Sequence, residues 1–198
     1  MRREDWDHRY AAAELPWSAS PNRRLVAEVA DLPPGRVLDL ACGEGRNAIW
    51  LAERGWRVTA VDFSEVAIAN ARSASAEAGV DVELVCADLL VYEPRPAAHD
   101  LVLLLYLQIP ADERRVVLAR AADALAPGGT LLLLGHDSTN PTDGVGGPSD
   151  ARVLYTPDDI VAQLPGLEIE KAERYLRDVE GEDRPAIDAL VRARRPAA

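Results

Sequence analysis

Apolar and polar residues alternate along the chain in two distinct patterns. Short apolar runs, typical of β-strands, are separated by longer segments in which apolar residues recur with helical spacing. The apolar runs predict strands at residues 36–42, 56–61, 80–86, 99–105 and 130–135. The intervening segments predict helices at residues 46–54, 64–78 and 112–125. This alternation predicts an α/β fold with a doubly wound, mostly parallel sheet that carries helices on both faces.

Capping residues mark where these helices begin and end. Ser64 is a typical N-cap, and Gly55 and Gly79 are typical residues at a helix C-terminus. The sequence Pro127-Gly128-Gly129 is expected to end the third helix before the fifth strand begins.

The last third of the chain has a different pattern. Thr156 followed by Pro157 predicts the start of a short helix. Two longer strand-like runs follow at residues 167–177 and 186–194, separated by a turn-rich segment. They predict an antiparallel pair at one edge of the sheet, which brings the number of strands to seven.

The first 32 residues predict one or two helices ahead of the sheet. Their apolar anchors are Trp6, Tyr10, Leu15 and Trp17. We therefore expect a single domain over residues 1–198, with an N-terminal helical cap at 1–32 and a core at 33–198. The one long irregular segment, residues 138–150, is rich in Gly, Pro, Asn and Asp. Such a segment predicts a functional or mobile loop, here a lid over a bound molecule.

The charge of the chain restricts its partners. The 198 residues include 33 acidic and 22 basic side chains, which gives a formal charge of −11. A surplus of negative charge disfavours binding to nucleic acid or to an anionic membrane surface. Apolar residues at 48% and charged residues at 28% are ordinary values for a globular protein, so a disordered chain is not expected.

The distribution of apolar and sulfur-containing residues predicts a cytoplasmic protein. The longest apolar run, residues 101–107, is far shorter than a membrane span, and the N-terminus does not resemble a signal peptide. Cys42 and Cys86 match no metal-ligand spacing, and each follows a strand-like run. We expect both to be small buried residues in a reducing compartment.

The glycine-rich segment at residues 37–47 has the features of a nucleotide-binding turn. An apolar strand contains Asp39 near its end, and Gly43 and Gly45 follow before a helix begins. Glycines let the backbone turn sharply and approach a ligand closely, and the helix N-terminus presents free N–H groups. Asp62 lies 19 residues beyond Gly43, at the end of the second strand, where a carboxylate accepts hydrogen bonds from ribose hydroxyls.

An NAD-dependent oxidoreductase is an alternative, because Gly43, Gly45 and Ala48 satisfy the dinucleotide pattern. Two features count against it. In dinucleotide sites the first glycine directly follows the apolar strand, whereas here four residues, 39–42, intervene. Asp39 would also repel a pyrophosphate, while it would attract a cationic group. The residues favour a nucleoside that carries positive charge.

Four segments resemble the motifs of class I S-adenosylmethionine-dependent methyltransferases. They are Asp39-Leu-Ala-Cys-Gly-Glu-Gly-Arg-Asn47, Val61-Asp-Phe-Ser64, Cys86-Ala-Asp-Leu89 and Pro127-Gly-Gly-Thr130. The early segments Trp6-Asp-His-Arg-Tyr10 and Leu15-Pro-Trp17 resemble the small-molecule methyltransferases of the tellurite-resistance and thiopurine type. The resemblance extends over residues 5 to 195 and implies a Rossmann-like fold. Its motifs specify the cofactor and not the methyl acceptor.

The resemblance implies a role for individual residues. Asp39 would lie at the methionine end, Asp62 would bind the ribose hydroxyls, and Asp88 would accept a hydrogen bond from the adenine amino group. The other implied cofactor contacts are Ala41, Gly43, Gly45, Phe63, Leu89, Leu104 and Trp17. Tyr10 and Tyr106 are implied on the acceptor side.

The predicted acceptor site lies just beyond the fifth strand, because ligands of open α/β sheets bind outside the carboxyl ends of the strands. His136, Asp137 and Asn140 are the candidate contacts there. Histidine transfers protons near neutral pH, so His136 is the candidate catalytic base. Alternatively, it orients the following loop. A metal site built on His136, Asp137 and Asp143 has poor ligand spacing, and no metal is expected.

Three functions are consistent with the sequence. The first is methyl transfer from S-adenosylmethionine to a small acceptor, which is a thiol, a chalcogen oxyanion or a small oxygen or nitrogen nucleophile. The compact chain and its acidic charge favour this function over one that involves nucleic acid or a membrane. The others are an NAD-dependent oxidoreductase and a non-catalytic module that binds S-adenosylmethionine. The oligomeric state is left open.

Overall fold

A seven-stranded mixed sheet organises the chain in a computed structural model, which describes residues 3–11 and 20–197. The strand order is β3-β2-β1-β4-β5-β7-β6. The strands are β1 (Arg36–Leu40), β2 (Arg57–Asp62), β3 (Val82–Cys86), β4 (His99–Leu105), β5 (Leu125–His136), β6 (Glu168–Arg177) and β7 (Ala186–Arg194). Strand β2 pairs in parallel with β1 and β3, and β7 pairs antiparallel with β5 and β6. The predicted α/β architecture with an antiparallel pair at one edge is confirmed.

The chain forms two compact units. The first comprises Met1–Glu93 with His99–Leu103, and the second comprises Pro94–Ala98 with Leu104–Ala198. The helices of the first unit are α1 (Arg3–Ala11), α2 (Arg23–Glu28), α3 (Arg46–Ala52) and α4 (Glu65–Ala78). Strand β1 is buried from Val37 to Leu40, as expected for a parallel strand covered on both faces.

Local capping defines helix α4 as the sequence predicts. The Ser64 side chain accepts a hydrogen bond from the Ala67 N–H, and Gly79 ends the helix in the left-handed conformation. Cys42 is buried, but Cys86 is exposed, so the prediction that both cysteines are buried is wrong for Cys86. Cys86 is the last residue of β3, a strand without a single fully buried residue.

The second unit contains α5 (Ala111–Ala124), α6 (Asn140–Asp143), a short 3-10 turn (Ala151–Val153) and α7 (Pro157–Val161). Helix α6 lies inside the segment 138–150, which the sequence predicts to be wholly irregular. Strand β7 is buried from Ala186 to Val191, whereas β6 is mostly exposed at the edge of the sheet. No helix in the described residues has the length and apolar character needed to cross a bilayer.

The start of β5 differs from the prediction. Pro127, Gly128 and Gly129 do not form a turn before the strand but belong to it, because β5 already begins at Leu125. Gly128 donates its N–H to the Arg195 carbonyl over 3.0 Å, and Arg195 donates to the Gly129 carbonyl over 2.9 Å. Pairing with a segment 66 residues away along the chain thus overrides the local preference of the Pro-Gly-Gly sequence for a turn.

Thr156 and Asp159 form a capping box at the start of helix α7. The Thr156 hydroxyl accepts from the Asp159 N–H over 3.1 Å, and the Asp159 carboxylate accepts from the Thr156 N–H over 2.8 Å. Thr156→Ala is expected to lower the free energy of unfolding by about 1 kcal/mol, since a cap is lost. Chemical denaturation measures this change. Thr156→Ser is the control and should keep most of the stability. Equal stability of all three proteins would contradict the prediction.

Candidate functional site

The glycine-rich turn after β1 forms a narrow backbone cradle. Gly43 and Gly45 adopt positive φ angles of 55° and 78°. A Cβ atom on Gly43 would lie 3.0 Å from the Tyr10 hydroxyl oxygen, and one on Gly45 would lie 3.1 Å from the Ala71 Cβ. Ala41, in the same turn, has a φ of 64°, which is unusual for a residue other than glycine. Backbone conformation and space therefore both favour glycine at 43 and 45.

Asp62, at the end of β2, holds this turn in place. One carboxylate oxygen accepts from the Gly43 N–H over 2.8 Å, and the other accepts from the Ser64 N–H over 3.0 Å. Burial raises the pKa of Asp62, while the hydrogen bonds from Ser64 and Gly43 act in the opposite direction. A carboxylate has about four acceptor positions, so further acceptor positions of Asp62 are available to a ligand.

Asp39 is a buried acid without a full set of partners. Its side chain is 1% exposed, and its Oδ2 atom has no hydrogen-bond partner within residues 3–11 and 20–197. Burial, together with repulsion from Asp62, raises the pKa of Asp39 to about 7, although Arg46 lowers it in part. Unpaired buried acids with perturbed pKa values are characteristic of functional sites. The geometry fits a ligand that brings a hydrogen-bond donor or a positive charge.

Helix α1 lies against this turn and against α4. Asn70 donates to the Tyr10 carbonyl over 3.1 Å and to the Glu44 carboxylate over 2.9 Å, and the Ser64 hydroxyl bonds to Asp7. The Tyr10 side chain is buried and stacks on Trp6, with ring centroids 5.6 Å apart. The structure therefore places Tyr10, which the resemblance implies on the acceptor side, beside the glycine turn. Trp17, another predicted contact, lies outside the described residues.

The remaining predicted cofactor contacts follow β2 and β3 or lie within β4. Phe63 is half-buried directly after Asp62, and Ala87 donates its N–H to the Asp62 carbonyl over 2.9 Å. One oxygen of the half-buried Asp88 accepts from the Leu90 N–H over 2.9 Å, which leaves its second oxygen for a ligand. Leu89 is buried at 9% exposure. Leu104 is 1% exposed in β4 and belongs to the second unit.

In the second unit, three polar side chains converge on Asp188. This residue lies in β7 directly opposite His136 and is fully buried. Its Oδ2 atom accepts from the Tyr106 hydroxyl and from the Arg177 Nε, each over 2.7 Å. Its Oδ1 atom lies 3.3 Å from the His136 Nδ1. We call Tyr106, His136, Arg177 and Asp188 the Asp188 cluster.

The sequence alone did not identify Asp188 as a functional residue. The available signal was an acid inside the otherwise apolar run Ala186–Val191, since buried acids are almost always paired. Burial raises the pKa of Asp188, but contacts with His136, Arg177 and Tyr106 outweigh it and lower the pKa overall. Asp188 is therefore ionised at neutral pH.

Asp137 and Asn140 have contacts of other kinds. Asp137 is fully buried, and its Oδ1 accepts from the Thr139 N–H and from the Arg174 Nε over 2.9 and 3.1 Å. Its Oδ2 atom has no hydrogen-bond partner in the described part of the chain.

The Asn140 amide is used by the protein backbone, in contrast to the predicted acceptor contact. Its Oδ1 accepts from the Ile187 N–H over 2.7 Å, and its Nδ2 donates to the Gly146 carbonyl over 2.8 Å. The residue is fully buried. These bonds hold the segment 140–146 against β7, so the structure gives Asn140 a structural role.

Comparison with known proteins identifies related domains. A family model described as a methyltransferase domain matches residues 37–129. Ribosomal RNA small subunit methyltransferase C of Alcanivorax borkumensis is 32% identical over 111 residues, which are 52% of this chain and 33% of that protein. Ubiquinone biosynthesis O-methyltransferase of Idiomarina loihiensis is 32% identical over 98 residues, 49% of this chain and 40% of that protein. The chain thus spans a third to two fifths of the length of these relatives.

A solved structure matches nearly the whole chain. It comes from work on the conversion of a disulfide bond into a thioacetal group during echinomycin biosynthesis. The TM-score is 0.79 at 26% identity, over 98% of this chain and 93% of that one.

Because the pKa of Asp39 is raised, the free energy of unfolding of the protein without ligand should fall as the pH rises. The pKa of Asp39 in the folded protein is about 7, above the ordinary value of 3.8. The stabilisation that comes from protonated Asp39 is therefore complete below pH 4 and is lost as the pH rises to 7. Asp39→Asn removes this loss. At pH 8 the variant should melt at a higher temperature than the wild type. This difference in melting temperature should be several degrees larger at pH 8 than at pH 4.5.

Thermal unfolding of both proteins at the two pH values checks this expectation. The wild type controls for all other ionisable groups, because the variant shares them. A difference in melting temperature that does not change with pH would contradict the assigned state of Asp39.

Proposed function

We propose that the chain carries a class I S-adenosylmethionine-dependent methyltransferase domain and transfers a methyl group from S-adenosylmethionine to a small-molecule acceptor. The observation that carries the proposal is the glycine turn held by Asp62 beside the unpaired Asp39. The cofactor supplies a methyl group that is already electrophilic on a sulfonium. The protein therefore mainly has to bind and align the two reactants.

The described side chains match the chemical groups of this cofactor. Asp62 has acceptor capacity left for the ribose, and the Gly43–Gly45 backbone gives room for a close approach. The unpaired Oδ2 of Asp39 suits the ammonium of the methionine end. We further propose that Phe63, Asp88 and Leu89 surround the adenine. Tyr10, which lies against Gly43, supports a covering role for helix α1.

The same residues disfavour NAD. Burial and the nearby Asp62 raise the pKa of Asp39, and a pyrophosphate would add negative charge beside these two buried carboxylates. A ligand with a sulfonium and an ammonium instead compensates the buried charge.

A small acceptor fits the charge of the chain better than nucleic acid. One relative is named as a ribosomal RNA methyltransferase, and another as an O-methyltransferase of ubiquinone biosynthesis. The formal charge of −11 opposes association with the phosphate backbone of RNA. We therefore propose small acceptors such as thiols, chalcogen oxyanions, phenols or quinols.

Calorimetry with S-adenosylhomocysteine and with NAD tests the proposal. We expect S-adenosylhomocysteine to bind tightly and NAD to show no binding. An acceptor screen that follows S-adenosylhomocysteine release, with total RNA as one arm, then tests catalysis. Binding of NAD alone would contradict the proposal. Binding of S-adenosylhomocysteine without turnover of any acceptor would favour a non-catalytic module, and turnover of RNA alone would refute the small-molecule acceptor.

Asp62→Ala tests the proposed ribose contact. The affinity for S-adenosylhomocysteine should fall at least about tenfold, because hydrogen bonds to a charged acceptor contribute roughly 1.5–3 kcal/mol each. Titration calorimetry measures the change, and circular dichroism verifies that the variant is folded. Glu65→Gln, which removes an acid from the first turn of α4, is the matched control and should bind as the wild type does. Unchanged affinity in Asp62→Ala would remove Asp62 from the site.

A further inference from the structure

We infer that Asn70 is a positioning residue that couples the docking of helix α1 to the glycine turn, so that a bound cofactor leaves when α1 undocks. The inference rests on the proposed function and adds the exchange of the cofactor to it. All residues involved belong to the first unit. The inference follows from the contacts that α4 makes with α1 and with the turn.

Helix α1 depends on specific contacts for its position. It has nine residues, whereas isolated helices shorter than about 12–15 residues are marginal in water. Tyr10 is the one buried side chain within Arg3–Ala11, and Trp6 and Asp7 are half-buried. Such a helix buries little apolar surface, so its hydrogen bonds to the rest of the first unit decide whether it is docked.

Asn70 joins α1 to the glycine turn through a single nitrogen atom. Its Nδ2 donates to the Tyr10 carbonyl over 3.1 Å and to the Glu44 carboxylate over 2.9 Å. The Tyr10 carbonyl lies in the last turn of α1, where carbonyls lack a partner within the helix. Glu44 lies between Gly43 and Gly45. The two hydrogens of one amide therefore connect the end of α1 with the middle of the turn.

Ser64 makes a second connection at the start of α4. Its hydroxyl bonds to Asp7 of α1, and its N–H donates to the Asp62 carboxylate. The same carboxylate accepts from the Gly43 N–H. Both connections therefore lead from α1 through α4 to the glycine turn, and we expect α1 and the turn to be ordered together.

Tyr10 brings α1 against the turn itself. A Cβ atom on Gly43 would lie 3.0 Å from the Tyr10 hydroxyl oxygen, and the Tyr10 ring stacks on Trp6. A molecule bound to the Gly43–Gly45 backbone would therefore lie beside α1. The docked helix should slow the departure of that molecule.

Docking of α1 and binding of the cofactor must then support each other. If the cofactor binds more tightly while α1 is docked, the bound cofactor favours the docked position by the same factor. Asn70 transmits this coupling because it contacts both α1 and the turn. Loss of its amide should leave Asp39 and Asp62 in place but should let α1 leave the turn more often.

Dissociation kinetics of S-adenosylhomocysteine test the role of Asn70. Asn70→Ala should raise the dissociation rate about tenfold, because one hydrogen bond to a carboxylate and one to a carbonyl are lost. The association rate should change less than about twofold. Surface plasmon resonance measures both rates. Ser73→Ala, which removes an exposed hydroxyl from the same helix, is the matched control and should behave as the wild type does.

A proline in α1 tests whether Asn70 acts through this helix. His8 is exposed, and a proline at this interior position breaks the helix without removing a docking side chain. His8→Pro should raise the dissociation rate, whereas His8→Ala should match the wild type. In the double variant of Asn70→Ala and His8→Pro the two increases should not multiply, because both changes release the same helix.

Hydrogen exchange supplies a readout that a purely structural role of Asn70 would not change. S-adenosylhomocysteine should slow amide exchange in residues 7–11 of the wild type, and this protection should be lost in Asn70→Ala. Circular dichroism verifies that each variant is folded. If Asn70→Ala does not fold, the comparison of His8→Pro with His8→Ala still decides whether α1 controls dissociation.

The outcomes separate this inference from the proposed function. Absence of S-adenosylhomocysteine binding to the wild type would refute both. With binding intact, an unchanged dissociation rate in Asn70→Ala or in His8→Pro would refute the coupling alone. Increases that multiply in the double variant, or protection of α1 that persists in Asn70→Ala, would do the same.

Discussion

The carboxylate of Asp62 is the interaction on which the first unit depends. It joins the turn after β1 to the start of α4, because its two oxygens accept from Gly43 and Ser64. Ser64 in turn caps α4 and bonds to Asp7 of α1. One buried charge therefore fixes the glycine turn, a helix N-terminus and the N-terminal helix together. A ligand bound to Asp62 would contact the group that already determines the local backbone.

Buried acids have different surroundings in the two units. In the second unit, Asp188 receives donors from surrounding side chains and is ionised despite its burial. In the first unit, Asp39 lacks a partner for one oxygen and favours the neutral form. A paired acid keeps its charge without a ligand, as Asp188 does beside Tyr106 and Arg177. An unpaired acid costs folding free energy and can recover it only when a ligand supplies the missing donor. This difference matches the ligand-binding role proposed for Asp39.

Sequence patterns predicted the parts of the fold that local interactions determine. Helix α4 has the predicted limits because Ser64 and Gly79 act within one turn of its ends. The start of β5 was missed because its partner, Arg195, is remote in sequence. The glycine turn and Asp62 were predictable from spacing. Asp188 was not, because only the β5–β7 register places it opposite His136. The same register gives Asn140 its backbone partner Ile187, which the sequence could not indicate.

The exposed Cys86 gives this protein a natural attachment point for a spectroscopic reporter. It pairs with Asp62 in the β2–β3 register, and its sulfur lies 3.7 Å from the Phe63 carbonyl oxygen. Cys42, the other thiol, is buried, so an alkylating dye would select Cys86. Burial of the sulfur and the nearby Glu65 raise the pKa of Cys86, so labelling needs alkaline buffer. A fluorophore there would lie at the end of β3, two residues before Asp88, and would sense the environment of Asp62 and Asp88 without any engineered cysteine.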